Sequence, residues 1–290
     1  MQNTSRRRVL LVCKTGHERA ALLGFEILCW LRRRGHPAAM IDAGCDSPAY
    51  QANDLFFVIV LGGDGTMLGV VRRLAGRSVP LLGVNFGRVG FLTDVRPEHW
   101  QEPVAACLEG MAAVRSRMAL RWSVASAGMT AASGTALNDV VLSRGALARL
   151  VCIDISIDGQ HMGVLRGDGV ILSTPVGSSG YCASAGGPLI HPAFEALILT
   201  PVCPFLSAFP PVVCRSSAVF SLRILHGSTE CHITADGQEG RILQSDDLLT
   251  VTGLPDAVYL MGDEPSFLER LRTRGVITDD AGQGRRREKA

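Results

Sequence analysis

The stretch Leu55-Phe56-Phe57-Val58-Ile59-Val60-Leu61-Gly62-Gly63-Asp64-Gly65-Thr66 decides the fold class expected of this chain. Its apolar first part is typical of a buried strand, and its second part is a glycine turn with one carboxylate. Glycines let a ligand approach the backbone closely, and the free N–H groups at the start of a following helix favour an anion such as phosphate. The stretch therefore predicts a phosphate-binding loop, although an Asp-Gly pair can also form a plain turn.

Two common phosphate-binding motifs are excluded for this loop. The chain contains no Gly-x-x-x-x-Gly-Lys motif, and the loop does not fit the Gly-x-Gly-x-x-Gly dinucleotide fingerprint. Lysine occurs only at positions 14 and 289, so a lysine-dependent phosphate site is not expected. Phosphate charge would then be met by arginine, backbone amides or a metal ion.

Strand and helix alternate through the first hundred residues. Apolar residues recur at helical spacing between residues 18 and 34, and Gly35 follows where a helix end favours glycine. The pattern predicts strands at residues 8–13, 38–41, 55–61 and 79–84, and helices at residues 18–34 and 67–75. This order predicts a parallel sheet, whose ligands lie beyond the carboxyl ends of the strands. Residues 62–66 and 85–91 follow such strand ends, so we expect both to face one crevice.

The periodicity changes after about residue 118, where short strands take over. Residues 151–157 alternate between apolar and polar, and the Asp158-Gly159 pair after them is a hairpin turn signal. We expect an α/β domain at residues 1–117, a mainly β domain at residues 118–260 and a C-terminal segment at residues 261–290. A helix predicted at residues 266–275 would pack back on the first domain, and the basic tail after it is expected to be disordered.

Composition narrows the class of protein. The chain has 290 residues, of which 47% are hydrophobic and 19% charged, and this favours a globular protein of two domains. A net charge of +2 is too small to indicate nucleic-acid binding. The chain has neither an apolar run near the roughly 18 residues of a membrane span nor a signal-peptide core, so a cytoplasmic protein without a membrane partner is expected. Nine cysteines without a Cys-x-x-Cys pair indicate reduced thiols rather than disulfides or zinc.

A second polar cluster, at residues 166–188, is rich in glycine and hydroxyl groups, which would let a ligand lie against the backbone. The chain carries these motifs in order: Gly62-Gly63-Asp64-Gly65-Thr66, Asn85-x-Gly-x-x-Gly-Phe-Leu92, Leu137-Asn138-Asp139-Val140-Val141, Gly167-Asp168-Gly169, Ser173-Thr174-Pro175, Tyr181 with Ser184-Ala185-Gly186-Gly187-Pro188, and Asp236-Gly237-Gln238. Through this ordered set the chain resembles the NAD kinase family over residues 9–274. The first motif is shared with phosphofructokinases and with diacylglycerol and sphingosine kinases. The resemblance thus implies an α/β domain like theirs.

This resemblance implies phosphorylation of the 2′-hydroxyl of the adenosine ribose of NAD, with ATP or polyphosphate as donor. Asp64 would be the catalytic residue, because a carboxylate within hydrogen-bond reach can orient the hydroxyl and accept its proton. Gly62, Gly63, Gly65 and Thr66 would bind the phosphates. Mg²⁺ or another divalent metal would be held mainly by the ATP phosphates, with no metal ligand from the chain.

By the same resemblance, Asn138 and Asp139 would hold the dinucleotide, with Asp139 accepting from ribose hydroxyls. Asp168 would face the nicotinamide end, and Arg166 would lie near anionic oxygens. The adenine and ribose pocket would be lined by Ser179, Gly180, Tyr181 and Ser184, with Phe91 on the adenine side. The remaining nucleotide-binding candidates are Arg149, Thr174, Cys182, Ala183, Cys203 through its main chain, and Gln238.

The chain departs from the family pattern at several positions. Asp139 stands where glutamate is common, and Ser178-Ser179-Gly180 replaces the usual Ser-Thr-Ala, which leaves the pocket shape open. Phe205 and Phe209 stand where histidine and arginine are frequent, so the contacts of those polar side chains are not carried over. The choices between NAD and NADH and between ATP and polyphosphate stay open.

Two other classes of function compete with this interpretation. A lipid or small-alcohol kinase would keep residues 62–66 but should have an apolar acceptor groove in its second half. A non-catalytic nucleotide-binding regulator would keep the fold without turnover, and the retained Asp64 argues against it. We also expect a homodimer or homotetramer, since strand edges and the apolar segment at residues 203–213 could form a subunit interface.

Overall fold

The computed structural model describes residues 7–74, 76–87, 90–145, 150–206, 209–225, 231–264 and 266–277. Its first part alternates strands and helices, as the sequence predicts. The elements are β1 (Arg8–Cys13), α1 (Glu18–Arg33), β2 (Ala38–Asp42), β3 (Leu55–Gly62), α2 (Asp64–Leu74), β4 (Leu81–Asn85) and α3 (Gln101–Glu109). Strands β2, β1, β3 and β4 pair in that order and in parallel, which confirms the predicted α/β domain with a parallel sheet.

The rest of the described chain is mostly β, with a final helix, as predicted. Its elements are β5 (Val114–Ser126), β6 (Met129–Ala136), β7 (Asp139–Arg144), β8 (Val151–Ile157), β9 (Gln160–Gly167), β10 (Gly169–Ser173), α4 (Tyr181–Ser184), β11 (Ala196–Val202), β12 (Val212–Arg215), β13 (Val219–Ile224), β14 (Cys231–Ala235), β15 (Glu239–Leu243), β16 (Leu248–Met261) and α5 (Phe267–Thr273). The antiparallel pairing of β8 with β9 forms the hairpin predicted from the Asp158-Gly159 turn.

Two sheets organise the chain. One has the order β2-β1-β3-β4-β16-β13-β8-β9, with β5 paired to β16 and β6 paired to β5, and the other has the order β12-β11-β10-β7-β14-β15. Strand β16 links the two halves, because its Leu260 pairs in parallel with Leu81 of β4 while its start pairs antiparallel with β13. The predicted boundary at residues 117 and 118 falls inside β5, and the one at residues 260 and 261 falls inside β16. The domain limits stay a prediction.

Apolar packing holds the second half against the phosphate loop. Leu137 and Val176, which flank the Asn138 motif and the Ser178 turn, lie in the same buried cluster as Met67 of α2. Leu137 and Met67 are fully buried and Val176 is nearly so. Each such side chain contributes roughly 1.5–3 kcal/mol through removal of its surface from water. Burial of these three side chains thus holds the Asn138 motif and the Ser178 turn against helix α2.

Several elements differ from the sequence-based expectation. Helix α2 begins at Asp64 rather than at the predicted Met67, because the amides of Thr66 and Met67 both bond to the Gly63 carbonyl oxygen. A carboxylate in a first helical turn is favoured by the helix dipole, so this start suits Asp64. Helix α3 was not predicted, and β16, with 14 residues, is longer than the short strands predicted for this half because it crosses between two sheet regions.

Candidate active site

Residues 62–66, which the sequence predicts to bind phosphate, lie at the carboxyl end of β3. Gly62 pairs with Asn85 at the end of β4, so the loop and the Asn85 motif lie side by side. A Cβ placed on Gly63 would meet no atom within 4 Å, which leaves the backbone there open to a ligand. A cavity of about 290 Å³ adjoins this region, and its lining includes two arginines, Arg19 and Arg96, and two acids, Asp94 and Glu98. Because these charges balance, the feature that favours an anionic group here is the open backbone of Gly63 at the start of α2.

The Asp64 carboxylate is held by a loop that follows β4. Its Oδ2 atom accepts from the Phe91 amide at 2.9 Å, and its Oδ1 atom accepts from the Leu92 amide at 3.1 Å and the Thr93 hydroxyl at 3.4 Å. Only glycine fits at position 90, because a Cβ there would lie 2.1 Å from Asp64 Oδ1. The Gly-Phe-Leu part of the sequence motif thus orients the carboxylate.

Asp64 also accepts from an arginine of the C-terminal helix region. Arg274 Nη2 lies 2.5 Å from Asp64 Oδ2, and the side chains of the two residues are 30% and 24% exposed. Sequence reasoning did not find Arg274, because it treated the helix at residues 266–275 only as a packing element. No local pattern could have revealed this pair, which is separated by 210 residues.

The Asn138 motif is shaped by Asp236. The Asp236 carboxylate accepts from the amides of Leu137, Asn138 and Asp139 at 2.9, 2.7 and 3.2 Å, and Asp236 itself has a left-handed φ of 51°. Asp139 is buried, and its burial together with the neighbouring charge of Asp236 raises its pKa to about 7. Burial also raises the pKa of Asp236, against the effect of the three amides. The sequence motif pointed to Asn138 and Asp139, but it did not reveal this carboxylate pair.

Thr174 supports this motif from within the fold. It is fully buried, and its hydroxyl donates to the Leu137 carbonyl oxygen at 2.7 Å while accepting from the Gly177 amide at 3.1 Å. The Thr174 amide bonds to the Asn138 carbonyl oxygen at 2.9 Å. Because the hydroxyl already donates one hydrogen bond and accepts another, Thr174 positions the Asn138 backbone and does not offer its side chain to a ligand.

The side chains around α4 differ in how far they are exposed. Tyr181 is 47% exposed, so its ring is available for stacking, and Ser184 is also exposed. Ser179 donates its hydroxyl to the Val176 carbonyl oxygen at 3.3 Å. Cys182 is fully buried against the Thr200 hydroxyl at 3.3 Å, so only its main chain could reach a ligand. Gly180 and Ala183 lie beside these residues and add only backbone or methyl surface.

Asp168 and Cys203 lie at the end of the second sheet that is opposite to Asp139, whereas Arg166 lies on β9 of the first sheet. Asp168 accepts from Arg144 Nε at 2.7 Å, so its charge is already paired. Arg166 is exposed at the end of β9, and its carbonyl oxygen accepts from the Phe205 amide. Cys203 is exposed and has a positive φ of 46°. The candidate Arg149 lies outside the described residues.

Gln238 is the predicted residue that reaches back to the phosphate loop. Its Nε2 atom donates to the Gly65 carbonyl oxygen at 2.8 Å, and its Oε1 atom accepts from Arg72 Nη1 at 3.2 Å. The turn between β14 and β15 is therefore tied to α2.

In the described part of the chain, no helix is long and apolar enough to cross a membrane.

Comparison with known proteins shows which family the sequence matches. Residues 45–112 match the family model of the ATP-NAD kinase N-terminal domain, and residues 137–261 match that of the ATP-NAD kinase C-terminal domain. The chain is 47% identical over 278 residues to an NAD kinase of Nitratidesulfovibrio vulgaris, with 95% of this chain and 93% of the relative covered. It is 44% identical over 282 residues to an NAD kinase of Oleidesulfovibrio alaskensis, with 96% of each covered.

Solved structures share the fold. Yeast NADH kinase complexed with NADH superposes with a TM-score of 0.78 at 22% identity, covering 92% of this chain and 86% of that one. An NAD kinase from Archaeoglobus fulgidus in complex with ATP gives a TM-score of 0.75 at 24% identity, covering 93% and 100% of the two chains.

Proposed function

This chain belongs to the NAD kinase family, and we propose that it transfers the γ-phosphoryl group of ATP to the 2′-hydroxyl of the adenosine ribose of NAD, giving NADP. The observation that best supports this proposal is the placement of the Asp64 carboxylate at the start of α2, beside the open backbone of Gly63. The amides of Phe91 and Leu92 hold the carboxylate there. A fixed carboxylate next to an anion-binding helix start is what a hydroxyl-phosphorylating enzyme requires.

Asp64 acts as general base in this proposal. A ribose hydroxyl is a weak nucleophile at neutral pH, so a carboxylate within roughly 2.6–3.2 Å orients it and accepts its proton. The 2′-oxygen forms a bond to the γ-phosphorus while the bond from that phosphorus to the β,γ-bridging oxygen breaks. ADP leaves with the electron pair of that bond, and the proton ends on Asp64.

The second half supplies the dinucleotide site. Asn138 and Asp139 bind ribose hydroxyls, and the exposed ring of Tyr181 stacks with the adenine base. Ser179, Gly180, Ala183 and Ser184 line the same pocket, with a main-chain contribution from Cys182. Asp168 faces the nicotinamide end of NAD, and Arg166 lies near the anionic oxygens. Thr174 acts indirectly, by holding the Asn138 backbone.

A divalent metal enters with the nucleotide. Among the described residues, no group of three or more His, Cys, Asp or Glu side chains could hold a metal ion, so the ATP phosphates and water would supply most of the metal's ligands. Mg²⁺ is commonly bound through substrate phosphates and waters instead of an all-protein cage. When bound, it offsets phosphate charge.

The assembly is proposed as a homodimer or homotetramer, in the cytoplasm. Strand β12 lies at the edge of the second sheet, and Phe205, Leu206 and Val213 near it are 47%, 90% and 47% exposed. An unpaired edge beside exposed apolar side chains favours association with a second copy. Light scattering at micromolar concentration tests this, and a monomer would contradict it.

The activity is tested by NADP formation from NAD with Mg²⁺ and either ATP or polyphosphate. The purified protein is run beside the Asp64→Asn variant and an Asp54→Asn control, which changes a carboxylate at the opposite end of β3. Activity in the parent and the control, with a large loss in the Asp64→Asn variant, supports the proposal. NAD binding without turnover would favour a regulator, and neither binding nor turnover would favour a lipid or small-alcohol kinase.

A further inference from the structure

Helix α5 presents two arginines, one turn apart, to the loop that holds Asp64. Arg270 is buried and donates to the Phe91 carbonyl oxygen and to Asp94 Oδ1. Arg274 follows four residues later, donates to Asp64 Oδ2, and has its guanidinium carbon 5.3 Å from the Phe91 ring centroid. Because Arg270 anchors the helix to this loop, the position of Arg274 at the catalytic carboxylate is built into the fold.

The Asp64 carboxylate has no acceptor capacity to spare. An ionised carboxylate offers about four lone-pair positions. Three are taken by the Phe91 amide, the Leu92 amide and the Thr93 hydroxyl, and the fourth by Arg274. A substrate hydroxyl can bond to Asp64 only if one donor leaves. The two amides are part of the backbone and Thr93 is fully buried, whereas the Arg274 side chain is 30% exposed and can turn aside.

The transferring phosphoryl group can come within reach of the same arginine. A hydroxyl about 3 Å from Asp64 and roughly 3–3.5 Å from the phosphorus places that phosphorus within about 7 Å of the carboxylate. The Arg274 guanidinium already lies within this distance, at 2.5 Å from Asp64 Oδ2. A guanidinium binds phosphate oxygens through two parallel N–H bonds, and lysine is absent between residues 14 and 289.

Building on the proposed function, we propose that Arg274 is a further catalytic residue that caps Asp64 in the free enzyme and moves to the γ-phosphoryl oxygens of ATP when the nucleotide binds, which frees Asp64 for the acceptor hydroxyl. Arg274 neither gains nor loses a proton. The bonds formed and broken are those of the kinase reaction, with the hydroxyl proton passing to Asp64. The guanidinium offsets charge on the phosphoryl oxygens as the phosphorus changes partners.

Nucleotide binding tests this assignment without turnover. Calorimetric titration of Mg²⁺-ATP and Mg²⁺-ADP is made with the parent protein, Arg274→Gln, Arg274→Lys and an Arg272→Gln control on the exposed face of α5. We expect Arg274→Gln to weaken ATP binding about tenfold and to leave ADP binding within about twofold, because ADP lacks the γ-phosphate. Arg274→Lys should fall between the parent and Arg274→Gln, and Arg272→Gln should match the parent. Equal effects on ATP and ADP, or no effect on either, would overturn the proposal.

Turnover gives a second, separate readout. Arg274→Gln should lower kcat by roughly 10³-fold, as for other arginines that bind a transferring phosphoryl group. The KM for NAD should not rise, since the competing cap on Asp64 is gone, and added guanidinium ion should restore part of kcat. A kcat within twofold of the parent would overturn the proposal. Absence of NADP from the parent protein would instead refute the proposed function, while the difference between ATP and ADP binding would still decide the role of Arg274.

Discussion

The Gln238 side-chain amide donates a hydrogen bond of 2.8 Å to the Gly65 carbonyl oxygen, across 173 residues of sequence. This bond joins the β14–β15 turn to the first turn of α2, directly beside Asp64. The same side chain accepts from Arg72 at 3.2 Å. The proposed dinucleotide side of the crevice and the phosphate loop are therefore mechanically linked.

Removing this link should impair catalysis more than stability. In a Gln238→Ala variant we expect kcat/KM to fall about tenfold, which corresponds to the loss of roughly one hydrogen bond of about 1.4 kcal/mol. Because Gln238 is exposed, the melting temperature should change little. Steady-state kinetics and thermal melts measure both quantities, with Gln244→Ala as a control in the next turn. Parent-like kinetics would show that the link has no catalytic role.

Gly90 should tolerate no side chain. A Cβ at this position would lie 2.1 Å from Asp64 Oδ1 and 2.5 Å from Thr93 Oγ1, so a Gly90→Ala variant must displace the carboxylate. We expect kcat to fall by 10²-fold or more, the cost typical of a misplacement of about 1 Å. The matched control is Gly87→Ala in the same loop, where a Cβ meets only Asn85 Oδ1 at 3.7 Å. Equal activity of the two variants would contradict the geometry.

Asp64→Asn keeps the size of the side chain and removes the base. We expect kcat to fall by roughly 10²–10⁴-fold, the usual contribution of general-base catalysis. Calorimetry should still detect NAD binding, since the Asn138 and Tyr181 region is unchanged. If the variant keeps more than half of the parent's kcat, Asp64 is not the base.

Asp139 should make stability depend on pH. Its pKa in the folded protein is raised from 3.8 to about 7, so its protonated form is favoured by folding. The resulting stabilisation is full below pH 3.8 and is lost as the pH rises through about 7. We expect the melting temperature of the parent to fall relative to that of an Asp139→Asn variant between pH 5 and 8. A constant difference across this range would refute the raised pKa.

The same group should couple NAD binding to pH. Ribose hydroxyls donate to the ionised form of Asp139, so NAD affinity should rise between pH 6 and 8 in the parent. The Asp139→Asn variant should show a flat profile over this range. Titration of NAD at several pH values measures this, and parallel profiles would remove Asp139 from the binding site.

Much of the fold could be predicted because local patterns carry it. The apolar run of β3, the helical spacing of α1 and the Asp158-Gly159 hairpin all depend on neighbouring residues in the chain. Helix α3 and the full length of β16 were missed. The second half of β16 is stabilised by pairing with β4 and β5, which lie far away in sequence, so its own residues do not signal a continuous strand.

Local sequence patterns predicted the parallel α/β sheet and the position of Asp64 in a glycine loop after β3, and the ordered motifs placed the chain in the NAD kinase family. The tertiary structure alone decided what surrounds those residues. It gave Asp64 its partner Arg274, gave the Asn138 motif its support from Asp236, and turned the Thr174 hydroxyl inward. A strand or turn depends on contacts between near neighbours, whereas these pairs form only when the packed core brings distant segments within about 3 Å of each other.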